Sequence, residues 1–402
     1  MKMKKLLTAL AGCAMLGALF MSTAFAEWTA DTSWYNETDK EFTITTADQL
    51  AGIASLVSSY KYLDGVTITL GNDIDLENQA WTPIGSNIAV LFKGTFDGNG
   101  KTISGLYINT TDSNQGLFGY SSGTICNLNV IGNVSGGKYV GGVVGSNKGT
   151  VKNCSFSGTV FASDSYVGGI VGNNEGGTVE SCANSGAVSG ASYIGGIAGY
   201  NEGGTVESCA NSGAVSGTNN GGGIVGKSIS SSSAAIIESC VNSGSVTVSN
   251  SGAGGIVGWI VGTKNEYAII KGCSNNATVS GSLRVGSIIG MKGSYYTMTE
   301  CTSAEEVISE DRDIVTELEN NGFEAENGTY ARGDEITLTA PGTVSAITVN
   351  YILTTDGGDT PFGVDFSLDS PIDGNGDVKL GVLLYNIPNG STVSAAEVTT
   401  VQ

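Results

Sequence analysis

The chain has no histidine. That absence removes the Ser-His-Asp and Cys-His catalytic arrangements, the histidine-based zinc sites and the commonest general base near neutral pH. Basic residues are scarce as well, 18 Lys and Arg against 38 Asp and Glu, for a formal charge of −20. A surface of that sign repels phosphate backbones, so nucleic acid is not an expected partner. Among 402 residues there are only 5 prolines, and the eight cysteines include no Cys-x-x-Cys pair. No metal or cofactor is therefore expected. Beyond residue 26 no stretch approaches the ~20 apolar residues of a membrane helix.

The one long apolar run stands at the start. Met1–Lys5 (MKMKK) is a basic n-region, LLTALAGCAMLGALFM an apolar h-region, and Ala24-Phe25-Ala26 a cleavage site. Residues 1–26 thus read as a secretory signal peptide, which predicts a secreted or cell-surface protein. A rival reading makes Leu10-Ala11-Gly12-Cys13 a lipoprotein signal anchored through Cys13. Loss of Lys2, Lys4 and Lys5 with the leader leaves the mature chain more acidic still.

What the chain has in abundance is glycine, 61 residues, arranged with a period. A Gly-Gly-apolar-apolar-Gly phrase begins at 141, 168, 195, 222 and 254, with weaker copies at 116 and 286. A second phrase follows it, an apolar pair, two polar residues, Cys, then N/S-x-G-x-V. NEGGTVESCANSGAVSG occurs identically at 174–190 and 201–217. Each period holds three apolar runs of about four residues, separated by Gly, Asn and Ser, so the runs are strands and the breaks are turns. Three strands per period make one coil of a parallel β-helix, whose coils stack at ~4.8 Å and bury a shared core.

The seven mature cysteines, Cys126, Cys154, Cys182, Cys209, Cys240, Cys273 and Cys301, fall once per coil at one phase. Stacked thiols point side by side, which favours a ladder of buried thiols; disulfides between adjacent rungs are the alternative.

The G-x-U-G phrases, WTPIG at 81–85, FKGTFDGNGKTISGLYIN at 92–109 and the Cys-N/S-x-G repeats together resemble the GLUG-motif proteins of bacterial surfaces, over roughly residues 40–323. The resemblance implies a secreted right-handed β-helix and little about activity. The motif occurs in adhesin-like proteins and beside the catalytic part of IgA-cleaving metalloproteases. No H-E-x-x-H zinc motif exists here, so the protease activity does not carry over.

The expected architecture is mainly β. Residues 27–115 carry an N-terminal cap and irregular coils, with a helix over 46–60 started by the capping box Thr46-Ala47-Asp48-Gln49. Residues 116–302 are the repeats, 303–323 hold a capping helix, and 324–402 form a small antiparallel β-sandwich. Asp373–Asp377 (DGNGD) begins like a calcium loop, but Val378 and Leu384 stand where Gly and Glu are needed, so a turn is expected.

Function in a regular solenoid sits where regularity breaks. Extra residues enter two adjacent coils at one phase, KSISSSSAA at 227–235 and WIVGTKNEYA at 259–268, which predicts neighbouring loops. The position after the phrase-final Gly reads Tyr200, Lys227, Trp259 and Met291 on successive coils. With Tyr267, Tyr295 and Tyr296 assigned to the same side, this is the candidate binding strip for a carbohydrate or an extracellular protein. A second row, Tyr139, Tyr166 and Tyr193, reads as structural stacking. Glu180, Glu207 and Glu238 recur in phase, as do Glu175 and Glu202, and solvated loop carboxylates are the expectation for both rows. Three functions follow: a non-catalytic adhesin-like binding protein, a polysaccharide-active β-helix enzyme, or a structural envelope component. The first is favoured, because no catalytic set breaks the repeat.

Overall fold

The structure, a computed structural model, describes residues 28–303 continuously and, beyond them, separate strands between 307 and 401. The leader, with its cleavage site and Cys13, lies outside the described residues, and so does the Asp373–Gly376 turn.

The periodic region is a parallel β-solenoid. One face is a 10-stranded sheet running from Glu41–Ile44 to Tyr296–Thr299 in sequence order. A 7-stranded sheet runs from Phe118–Ser121 to Ile289–Lys292, and a 15-stranded, branched sheet closes the third side. The register is that of the repeat. Thr178, Val179 and Glu180 pair with Thr205, Val206 and Glu207 on the next coil. The identical copies therefore lie one above the other, every side chain over its own kind.

Alternation places the core. Ile125, Val151, Val179, Val206, Ile237 and Ile270 form one column on successive coils, each fully buried. Burying each such side chain contributes about 1.5–3 kcal/mol relative to exposure.

Near the start of the solenoid the helix Ala47–Ser58 forms as its pattern predicts, and Leu50, Ile53 and Val57 of it are fully buried in the common core. Thr46 caps it by accepting the Gln49 amide at 3.3 Å. The reciprocal arm differs from the expected box: the Gln49 carbonyl takes the amide of Thr45 at 2.8 Å rather than that of Thr46.

At the far end the pattern departs from expectation. Val307–Ser309, placed in a helix by the sequence, is a strand paired in parallel with Val279–Gly281. The apolar pair Val307-Ile308 extends the ladder where helical spacing predicted an isolated cap. The remainder of 303–323 lies outside the described residues, apart from Thr302–Ser303, which also pairs as a strand. From 324 on pairing turns antiparallel, in a three-strand and a four-strand sheet.

One interior column ends unusually. Ser121, Asn147, Asn174, Asn201, Ser228 and Ile260, all fully buried, are followed on the last rung by Lys292. Burial pulls the Lys292 ammonium down to about 8. Between pH 8 and the unfolded value of 10.5 the unfolded chain binds the extra proton, so stability rises with pH across that window. Lys292→Met is expected to stabilise the chain at pH 7 by about 2 kcal/mol, a value reduced for residual solvent contact. The gain should shrink toward pH 10.5. Urea midpoints of both proteins at pH 7 and pH 10 check it; an equal gain at both would refute the assignment.

Candidate functional site

Two neighbouring rows run along the outside, the first on the 7-stranded sheet and the second at the adjoining edge of the 15-stranded sheet. The first is the predicted strip, with Asn173, Tyr200, Lys227, Trp259 and Met291 in register on successive coils. The second is the position two residues before the Gly-Gly phrase, occupied by Tyr139, Tyr166, Tyr193, Asn220, Gly252 and Arg284. Every residue of this second row has positive φ, from 53° at Asn220 to 84° at Gly252. Asn and Gly accept that conformation readily, whereas a tyrosine there costs about 1 kcal/mol or more. Three such tyrosines in a row are the kind of local strain that collects at working surfaces.

The sequence treats the rows as separate, and the structure joins them. Tyr139, Tyr166 and Tyr193 stack at 5.3 and 4.9 Å between ring centroids, with interplanar angles of 21° and 13°. Tyr200 of the first row lies 4.8 Å from Tyr166. Trp259 stacks over Tyr193 at 6.2 Å. Where the second row carries only Asn220 and Gly252, the large ring of the first row leans across to occupy the space.

Both lysines of the cluster sit on rings. The ammonium of Lys138 lies 4.7 Å from the Tyr139 centroid and 5.2 Å from that of Tyr166. That of Lys227 lies 4.1 Å from Trp259, 4.9 Å from Tyr193 and 5.6 Å from Tyr200. Burial lowers the Lys227 ammonium below its ordinary value, against an opposing pull from Glu202. Burial, and after it Glu202, pushes the Tyr200 phenol well up. Two acceptors beside the strip are orphaned: the Oδ1 atoms of Asn173 and Asn220 are buried with no hydrogen-bond partner. Because the tyrosine faces are turned to one another, an incoming partner meets ring edges and phenol hydroxyls.

The other predicted members lie elsewhere. Tyr267 and Tyr295 form an edge-on pair at 5.9 Å, both exposed, and Tyr296 packs against the core beneath the 10-stranded sheet. No ring contact between these three and the Trp259 cluster occurs among the described residues. Tyr267 comes after the loop that follows Trp259, and Tyr295 and Tyr296 after Met291 on the next coil, where the chain has turned to the 10-stranded sheet. The loops themselves are neighbours as expected: the Ser230 amide donates to Val261, and that of Ile269 to Ala235.

The glutamate row is bracketed by cations. Lys152, Glu180, Glu207, Glu238 and Lys271 align on successive coils, with ion pairs of 2.6 Å from Lys152 to Glu180 and 3.2 Å from Lys271 to Glu238. Glu175 pairs with Lys148 at 2.7 Å and accepts the Tyr120 hydroxyl at 3.3 Å.

All seven cysteines of the ladder are free thiols, and Cys154 through Cys273 are buried. Each from Cys154 on donates to the carbonyl two residues back, as Cys209 does to Glu207 at 3.1 Å. Among the described residues no group of three or more His, Cys, Asp or Glu is placed to hold a metal ion.

A groove of about 300 Å³ that sequence reasoning missed runs across several coils of the largest sheet, over Ala183, Ala210, Ser157, Ser185 and Ser212, with Ile131 and Val241 exposed along it. The outward positions of the Cys-x-N-S phrase were its only signal.

Residues 136–160, 163–189 and 190–216 match the GLUG motif. A stretch of 86 residues, 20% of this chain, is 41% identical to "Halomucin" of Haloquadratum walsbyi and covers 1% of that protein. A stretch of 121 residues, 25% of the chain, is 37% identical to a "Putative Gly-rich membrane protein" of Evansella cellulosilytica and covers 14% of it. The chain thus spans a small fraction of the length of either relative. A solved structure described as a "putative immunoglobulin A1 protease" from Bacteroides ovatus superposes with TM-score 0.49 and 22% identity, over 71% of this chain and 80% of that one. No described helix is long and apolar enough to cross a membrane. With three matched motifs set in stacked parallel coils, the chain is a GLUG-repeat parallel β-helix protein.

Proposed function

We propose that this is an exported, non-catalytic surface or extracellular protein whose β-helix presents the joined aromatic rows to a carbohydrate or an extracellular protein. In this proposal the helix Ala47–Ser58 and the antiparallel C-terminal strands close the two ends of the solenoid. The observation that carries the reading is the strip itself. Five rings and two lysines gather on one outer edge, at positions where the repeat demands no aromatic residue and where three tyrosines hold costly backbone angles. Phenol hydroxyls, ring edges and an ammonium at coil spacing suit a polymer or a protein surface lying along the solenoid axis.

Purified full-length chain on a glycan and extracellular-matrix protein array, scored for binding and for fragment release, tests the reading. Saturable binding without cleavage is expected. Trp259→Ala should weaken that binding about tenfold, the usual cost of removing a well-packed aromatic contact, while the coil stack stays folded. Unchanged affinity in a folded Trp259→Ala protein removes the strip as the site. Release of sugar fragments would put a polysaccharide-active enzyme in its place.

A further inference from the structure

Tyr193 and Trp259 belong to coils two apart in the repeat, yet Trp259 leans far enough to stack on Tyr193. On the coil between them the stacking row carries Asn220 in place of a ring, and the neighbouring row carries Lys227. The Tyr193 and Trp259 centroids are 6.2 Å apart with 26° between their planes, and Tyr200 brings a third ring to the same side. The chain's own Lys227 places its ammonium against all three rings. On the intervening coil Asn220 is nine-tenths buried, and its Oδ1, which lies against the backbone of Gly252, accepts no hydrogen bond. Three rings gathered on one ammonium is the chemistry that recognises organic ammonium groups.

We propose that Tyr193, Tyr200 and Trp259 form a receptor cage for an organic cation, an alkylammonium or guanidinium group, and that Lys227 is an intramolecular plug which the ligand displaces. The proposal rests on the binding strip above and narrows its ligand to a cationic group. Charge favours it: the chain is strongly acidic at −20, Glu202 adds a negative field at the cage, and a cationic partner is steered toward such a surface. Plugging also has a physical consequence. The flexible lysine stem competes with ligand at high effective concentration, so the native chain binds a free cation more weakly than the cage alone would.

The test titrates the full chain with tetramethylammonium chloride and, separately, with a blocked tri-arginine peptide, at fixed ionic strength, by calorimetry and tryptophan fluorescence. Lys227→Ala empties the cage, and Lys227→Gln removes the charge while keeping most of the stem in case the alanine variant folds poorly. We expect Lys227→Ala to bind at least one probe about tenfold more tightly than the native chain, since a desolvated cation–π contact is of that size. Adding Trp259→Ala should abolish the gain. A gain with tetramethylammonium alone assigns the cage to small quaternary amines, and a gain with the peptide assigns it to basic proteins. No gain with either probe in a folded Lys227 variant, or a gain that survives loss of Trp259, overturns the proposal. Array binding that still depends on Trp259 would then leave the broader strip reading intact.

Discussion

Asn211→Asp, an exchange that scarcely alters shape, is expected to destabilise the chain by about 4 kcal/mol, more than Asn211→Ala does. Asn211 stands 1% exposed in an interior ladder with Asn184, Asn242 and Asn275. Its Nδ2 donates to the Gly213 carbonyl and to Asn242 Oδ1, both at 2.9 Å, and its Oδ1 accepts from Asn184 Nδ2 at 2.9 Å. Aspartate puts a second acceptor where the donor was. Two buried carbonyl oxygens then face a carboxylate with no water to separate them, and removing a buried partner in this way costs more than a net hydrogen bond is worth. Alanine leaves Asn184 its bond to Gly186 at 2.8 Å and Asn242 its bond from the Gly244 amide at 3.2 Å, so about 2–3 kcal/mol is expected. The pH dependence separates the two explanations. A buried aspartate has a raised folded-state pKa, so its deficit is full above that value and shrinks as pH falls through it. Urea unfolding at pH 7 and pH 4 should show Asn211→Asp recovering at acid pH while Asn211→Ala does not. Equal losses for both variants at both pH values would deny the ladder its role.

Gly196→Ala is the second large effect, about 3 kcal/mol or more. A Cβ at Gly196 would overlap the carbonyl oxygen of Gly223 on the next coil and the side-chain amide of Asn211. Neither can yield, because the first belongs to backbone tied to the following coil by the Gly223 amide and the second is bonded above and below. The same contact recurs between Gly169 and Asn184, Gly223 and Asn242, and Gly255 and Asn275. The second Gly of one phrase and the Asn of the other are thus two halves of one contact across the interior. Gly176→Ala is the control. Gly176 has φ of 67° and open space around its Cα, so only the backbone term of about 1 kcal/mol applies. Thermal midpoints of the two variants should differ clearly, and a Gly196→Ala protein as stable as Gly176→Ala would refute the contact.

These residues show how far the sequence could be read. The spacing of Cys182, Cys209 and Cys240 sets coil phase, and the structure stacks their strands in that phase. Thr46 and Gln49 announced the helix start within one residue. The asparagines were legible only as turn formers, because Asn suits turns wherever it occurs. Their burial depends on the Gly faces opposite, which lie about half a coil away along the chain. The tyrosine row and the Tyr200–Trp259 row were both visible, but their union was not. It follows from a positive-φ backbone that brings one row beside the other and from the empty places at Asn220 and Gly252 into which Trp259 leans.

What the sequence determined alone was one-dimensional: the period, the strands within it, the apolar faces, the acidic surface and the lack of histidine chemistry. A periodic chain carries that information in spacing, since stacking turns each period into one step along an axis. Only the tertiary structure decided which glycine meets which asparagine, which tyrosines share a stack, and that the Lys227 ammonium meets Tyr193, Tyr200 and Trp259 together. Those contacts join residues at different phases of the coil, and phase becomes distance only when the coil closes on itself.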